Sequence, residues 1–304
     1  MKRMEKIAKL LDDAVEEIEG KRYLLCHLWE EENLPRFHVK DILQLLHIDS
    51  KEVVVEKPVE YHLTSAVVYK DELYFGTIWE GVIKWGEKRR IRNGSSWDQL
   101  FVYKDKLWGL WNPERGTTLV VDVLGKEQKE ITGKKYARVT WISFKKGNAY
   151  VQYTTVDNEF VIAKFDFEKG KIGKKVCKGK SYHNILRSQF EILGDWIVTC
   201  GSGRALIAYN SKTKEKRELY FSDGPGREIS RFQVIKKGEE VNIVAGDKGV
   251  APSYLVWIQA TGDFRNVTTE KVTLDRVWNV FPLLTGGYEL REAIGEGGVE
   301  RCGK

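Results

Sequence analysis

Between Ala66 and Trp79 the chain sets short apolar runs on either side of a tight polar turn, "AVVYKDELYFGTIW". Two apolar or aromatic runs around a two- to four-residue turn of Lys, Asp or Gly predict a β-hairpin. The pattern returns from Leu100 as "LFVYKDKLWGLW", which moves Tyr69 to Tyr103, 34 residues on. It keeps Val68 and Val102, Lys70 and Lys104, Asp71 and Asp105, and Leu73 and Leu107 in register. Looser copies begin at Trp141 ("WISFKKGNAYVQY"), Phe190 ("FEILGDWIVTC"), Phe232 ("FQVIKKGEEVNIVAG") and Val280 ("VFPLLTGGYEL"). Six copies argue against chance.

Most of these hairpins are followed by a second pair of strands, apolar and then more polar. They run from Gly81 to Ile91, Thr117 to Ile131, Phe160 to Lys175, Ala205 to Leu219 and Tyr254 to Thr268. One unit is therefore four strands, repeating every ~34 to 50 residues, which is the sequence signature of a propeller blade. A unit such as "ALIAYNSKTKEKREL" (Ala205 to Leu219) is similar to the third strand, turn and fourth strand of a blade. The chain from about residue 52 onward thus resembles the β-propeller folds of kelch and WD-repeat type in architecture. The paired glycines of the one and the Gly-His and Trp-Asp signatures of the other are missing, so the resemblance implies a fold and no function. The expectation is a mainly β protein with a six-bladed propeller, five or seven blades being the alternatives. The last unit is short of four strands, and the strand-like Glu52 to Lys57 is expected to join it as an outer strand, leaving no open edge.

Residues 1–50 read differently. Ile7, Leu10, Leu11, Ala14, Val15 and Ile18 recur at helical spacing, and Gly20 ends the stripe. "KRYLLCHLWEEEN" and "HVKDILQLLHI" read as two further Leu-rich helices, which gives an acidic helical extension over 1–50 ahead of a propeller over 51–304. A DNA-reading helix-turn-helix in this region is disfavoured, because the β-branched "EVVVEKPVEY" that follows cannot provide a recognition helix.

Charge sharpens the division. Residues 1–60 hold 10 Lys/Arg against 14 Asp/Glu, and the remainder 40 against 30. The acidic helices are therefore expected to dock on the basic propeller, to self-associate or to meet a basic partner. Residues 126–180 alone carry 14 Lys/Arg against 6 Asp/Glu. That is either an anion-binding edge for nucleic acid or acidic protein, or the lysine guard that exposed outer strands need in any case. Apolar runs stay under about ten residues, too short for a membrane span. The N-terminus lacks the uninterrupted apolar stretch of a signal peptide, so a cytoplasmic location is expected. Many Lys and Glu with few Asn and Gln fit a thermophilic source.

Specific chemistry is sparse. Cys26, Cys177, Cys200 and Cys302 have neither metal-ligand nor disulfide spacing, and the five histidines form no HxH or HxxxH pair. No metal, cofactor or catalytic set is expected. "GSGRA" (Gly201 to Ala205) and "GPGRE" (Gly224 to Glu228) are glycine-rich but do not join a strand to a helix as a phosphate loop must. An arginine near an aromatic does precede hairpin after hairpin: Arg92 with Trp97, Arg138 with Trp141, Arg187 with Phe190, Arg231 with Phe232, and Arg276 with Trp278. In a closed ring these residues meet at the channel mouth, where guanidiniums bind carboxylate or phosphate and aromatics add stacking. The expected function is a non-catalytic scaffold holding an acidic protein or other anion on that face. The alternatives are a nucleic-acid binder using the 126–180 edge, and a hydrolase or lyase of sugars or lactones built on carboxylates from different blades.

Overall fold

The computed structural model describes residues 23–282, apart from 33–37, 48–49, 88, 182–187, 225, 238, 250–251 and 275–276. The described residues form six four-stranded antiparallel sheets. Five are continuous in sequence and pair their strands in chain order: blade 2 over 63–92, blade 3 over 97–130, blade 4 over 138–180, blade 5 over 190–221 and blade 6 over 228–274. Blade 1 is assembled from both ends of the described chain. Its innermost strand is Val277–Pro282, which pairs with Tyr23–Glu32, and His38–His47 and Val53–Val59 follow outward.

The ring follows from how side chains divide between two faces. Successive residues of a strand point to opposite sides of the sheet. In the inner strand of blade 2, Leu63–Tyr69, Ala66 and Val68 pack against Leu25, Leu43 and Val55 of blade 1. Val67 and Tyr69 pack the other way, against Trp97, Leu100 and Val121 of blade 3. Phe101 with Val139 and Phe167 fills the seam between blades 3 and 4, Trp141 with Phe190 that between 4 and 5, and Val198 with Phe232 that between 5 and 6. The sixth seam joins Leu255 and Trp257 of blade 6 to Cys26, Leu28 and Ile42 of blade 1 and closes the circle. The protein is a six-bladed β-propeller.

Two of the three helices expected before residue 50 are strands instead: Tyr23–Glu32 and His38–His47. Both of their faces are buried. Leu25, Leu43 and Leu45 enter the seam with blade 2, while Cys26, Leu28, Ile42 and Leu46 enter the seam with blade 6. A strand buried on both sides loses its alternation and reads as a continuous apolar run. Leucine-rich runs of that kind imitate a helical stripe. The helix expected over residues 1–20 lies outside the described residues, among which there is no helix and so none long and apolar enough to cross a membrane. The stretch expected to supply an outer strand does so, as Val53–Val59.

The recurring Lys-Asp turn is a two-residue hairpin loop with both residues left-handed: φ is 47° and 63° at Lys70 and Asp71, and 48° and 55° at Lys104 and Asp105. Both loops therefore carry two non-glycine residues in a region that short polar side chains tolerate and β-branched ones do not. Asp105→Val is expected to lower stability by about 1–2 kcal/mol, with Asp105→Asn near neutral, as read by chemical denaturation.

Candidate binding site at the channel and on blade 4

Four inner strands start with a register irregularity at the same place: between Leu63 and Ser65, Trp97 and Gln99, Val139 and Trp141, and Ile229 and Phe232. A bulge re-aims the side chain it carries. The residues so placed include Thr64, Asp98, Thr140 and Arg231, each at most 3% exposed, and they carry the polar contacts that tie the blades together. Thr64 donates its hydroxyl to the carbonyl of Trp97, and Thr140 Oγ1 lies 3.2 Å from Ser188 Oγ.

Asp98 is the hub. Arg138 of blade 4 holds its carboxylate with both arms of the guanidinium, Nε to Oδ2 at 2.8 Å and Nη2 to Oδ1 at 2.7 Å. Asn112 donates Nδ2 to Oδ2 at 2.7 Å and receives the Thr118 hydroxyl at 2.6 Å. Arg231 belongs to blade 6, three places away in a ring of six, and reaches across the channel to donate Nη2 to the Asp98 carbonyl at 2.8 Å. Its guanidinium carbon lies 4.5 Å from the centre of the Trp141 ring, a buried cation–π contact. Glutamine amides clasp neighbouring inner strands in the same way. Gln99 donates to the Ile142 carbonyl at 2.8 Å and accepts its N–H at 2.7 Å. Gln189 repeats this with Phe232 at 2.8 and 3.3 Å.

The residues singled out in the sequence are therefore placed as follows. Arg138 and Arg231 come together, around Asp98, with Trp141 beneath Arg231. Arg138 keeps 19% of its side chain exposed, and Arg231 is 1% exposed. Arg92 lies apart in the outer strand of blade 2 and donates to the carbonyls of Val123 (2.8 Å), Asp122 (2.9 Å) and Gly125 in blade 3. Trp97 is buried and stacked on Trp111, centroids 5.7 Å apart, over Gly109, where a Cβ would meet its ring at 2.5 Å. Trp278 lies in the innermost strand of blade 1, and Arg187 and Arg276 lie outside the described residues.

Sequence reasoning missed Asp98, which stands unannounced in "SSWDQLF". It also missed a cluster at the seam of blades 1 and 2, where Asp41 is bracketed by His27 Nε2 at 2.6 Å and His62 Nδ1 at 2.9 Å. The three are far apart in the chain, and no spacing rule could have joined them. Burial alone would raise the Asp41 pKa, but the hydrogen bonds to the two imidazoles outweigh it and hold the carboxyl below its usual range. His62 in turn packs at 4.7 Å against Trp79, which is 58% exposed.

Most of the charge of the 126–180 stretch lies on blade 4. The outer strand Lys171–Lys180 exposes Lys171, Lys174, Lys175, Lys178 and Lys180. Lys178 meets Glu159 at 2.6 Å, and among the described residues the other four have no carboxylate at ion-pair distance. Lys134 and Lys135 are exposed next to Gly133, where a Cβ would lie 3.2 Å from the Lys171 side chain. An open groove of about 460 Å³ adjoins the strand, with Phe165, Phe167 and Ile172 among its lining and Lys164, Lys171 and Lys174 at its border.

Fold and site define a class, a closed propeller whose inner strands are cross-linked by buried polar side chains. No family profile matches the sequence, and no curated protein matches it. Among the solved structures similar in fold are the following two. A chain of the mitotic checkpoint complex is 14% identical over 90% of this chain and 98% of its own length, at a TM-score of 0.47. Dihydro-heme d1 dehydrogenase NirN, solved in complex with DHE, is 10% identical over 83% of this chain at a TM-score of 0.43. The match spans little more than half, 57%, of the NirN chain.

Two outcomes follow from this geometry. Asp98→Asn leaves Arg138 without its two-armed carboxylate partner while sparing the backbone carbonyl that Arg231 uses, and is expected to cost about 1.5–3 kcal/mol, read as a lowered denaturation midpoint. Asp41 has a folded pKa below its unfolded value of about 3.9, so its contribution is present above that pH and lost as pH falls through the folded value. In denaturation followed from pH 6 to 2, Asp41→Asn should remove part of the acid destabilisation seen for the wild type.

Proposed function

We propose that this propeller is a non-catalytic binding scaffold that receives an acidic protein partner on the lysine-rich edge of blade 4. The observation that carries the reading is the single strand Lys171–Lys180, with five exposed lysines and one carboxylate partner among the described residues. Like charges so concentrated repel one another, and an acidic surface relieves that repulsion while gaining electrostatic steering. Lys134, Lys135 and the partly exposed Arg138 extend the basic surface toward the channel rim. The arginine rim supports this role less strongly, because Arg92, Arg138 and Arg231 already give hydrogen bonds to other blades.

The test is retention on immobilised polyglutamate across a salt gradient, with an immobilised oligonucleotide in parallel. Wild-type protein is expected to be held by polyglutamate. The double variant Lys174→Glu/Lys175→Glu should elute at clearly lower salt than Lys212→Glu/Lys214→Glu, which makes the same charge change on blade 5. Equal elution of the two variants would contradict the proposal, as would retention by the oligonucleotide alone.

A further inference from the structure

We propose that blade 4 takes its partner as a fifth strand: an acidic, extended segment pairs with the free outer edge of Lys171–Lys180 and sets its carboxylates against the lysines. This deepens the reading above and rests on it.

The first support is length. The outer strands of blades 1 to 6 have 7, 3, 3, 10, 6 and 8 residues, so blade 4 offers the longest. Short outer strands are one way in which sheets discourage unwanted pairing, and blade 4 does not use it.

The second support is that this edge already accepts backbone. The connection from blade 3 lays Thr132 alongside Lys171 as an isolated parallel bridge. Ile172 donates its N–H to the Thr132 carbonyl at 2.8 Å, and Thr132 donates to the Gly170 carbonyl at 2.8 Å. Beyond that bridge, no strand among the described residues covers the outer edge.

The third support is regularity. The strand's inner pairing is irregular around Ala163, yet Cys177, Lys178, Gly179 and Lys180 pair in unbroken order with Ile162, Val161, Phe160 and Glu159. That half keeps the unbroken register that an added strand needs, and it carries Lys178 and Lys180, with Lys175 just before it.

The lysines then select the occupant. Like charges placed opposite one another across a strand pair are unfavourable and opposite charges favourable, by about 0.2–1 kcal/mol for each pair. A second copy of this edge, or any basic strand, is turned away, whereas a strand with alternating acids gains backbone hydrogen bonds and neutralises the row. Guarding the edge and recognising the partner are one property of the same side chains. Adding a strand to an exposed edge is a general mode of peptide recognition, in which main-chain bonds give affinity and alternate side chains give specificity.

The experiment uses the full chain and three probes: a peptide alternating Glu and Val, the same peptide with Pro in place of every Val, and oligothymidylate. Proline preserves every carboxylate, removes every second N–H donor and fixes φ away from the paired-strand value, so the analogue is a poor added strand. The Glu/Val peptide is expected to bind at least roughly tenfold more tightly than its proline analogue. Binding should protect the amides of Val176–Lys180 from hydrogen exchange, and Lys175→Glu/Lys180→Glu should abolish it. Equal binding of the two peptides, with no added protection, would overturn strand addition while leaving the acidic-partner scaffold standing. Tighter binding of oligothymidylate than of either peptide would overturn both, as would no binding to any probe.

Discussion

A sheet that is apolar on both faces cannot end in solvent, and this requirement governs the whole molecule. Each blade hands one set of side chains to the blade before it and the alternate set to the blade after it, so every blade needs two neighbours. The requirement is met at every position only if the last seam exists. Leu28, Ile42 and Leu46 against Leu255 and Trp257 provide it, and the antiparallel pairing of Val277–Pro282 with Tyr23–Glu32 joins the two ends of the described chain in one blade. Loss of that joint would expose apolar faces on blades 6 and 1 together, which is why closure is a property of the ring rather than of one blade.

The channel adds a second layer of constraint, polar where the seams are apolar. Several of its side chains come from bulges at the heads of inner strands, and they are used for bonding between blades: Asp98 gives its carboxylate to Arg138 and its backbone carbonyl to Arg231, and glutamine amides clasp the next strand. Buried polar groups are costly unless satisfied, and a network of this kind specifies which strand sits beside which. On the outer wall of blade 4, by contrast, four of the five exposed lysines of Lys171–Lys180 have no carboxylate at ion-pair distance among the described residues.

The sequence made the hairpins legible because their turns are local, with Lys-Asp at 70–71 and again at 104–105, and their register is fixed by the residues on each side. Blade 1 was hidden for the opposite reason. "YLLCHL" and "DILQLL" show no polar face, so only the neighbouring blades distinguish a doubly buried strand from a helix. The arginine repeat was visible as spacing, and the coming together of Arg138 and Arg231 follows from closure. Their shared partner was not visible, since Asp98 offers its carboxylate to Arg138, 40 positions on, and its backbone carbonyl to Arg231, 133 positions on. The His27–Asp41–His62 cluster likewise exists only through the seam between blades 1 and 2. The basic stretch 126–180 was legible as charge, but its division into paired and unpaired lysines required the fold.

Native-state hydrogen exchange of the intact chain tests ring closure most directly. If the two ends of the described chain are joined in one blade, the amides of Val277 to Phe281 exchange as slowly as those of the inner strand of blade 4, Arg138–Lys145, and both do so through global unfolding. Fast exchange at Val277 to Phe281 while blade 4 stays protected would mean that blade 1 lacks its innermost strand, and the closed ring would have to be abandoned.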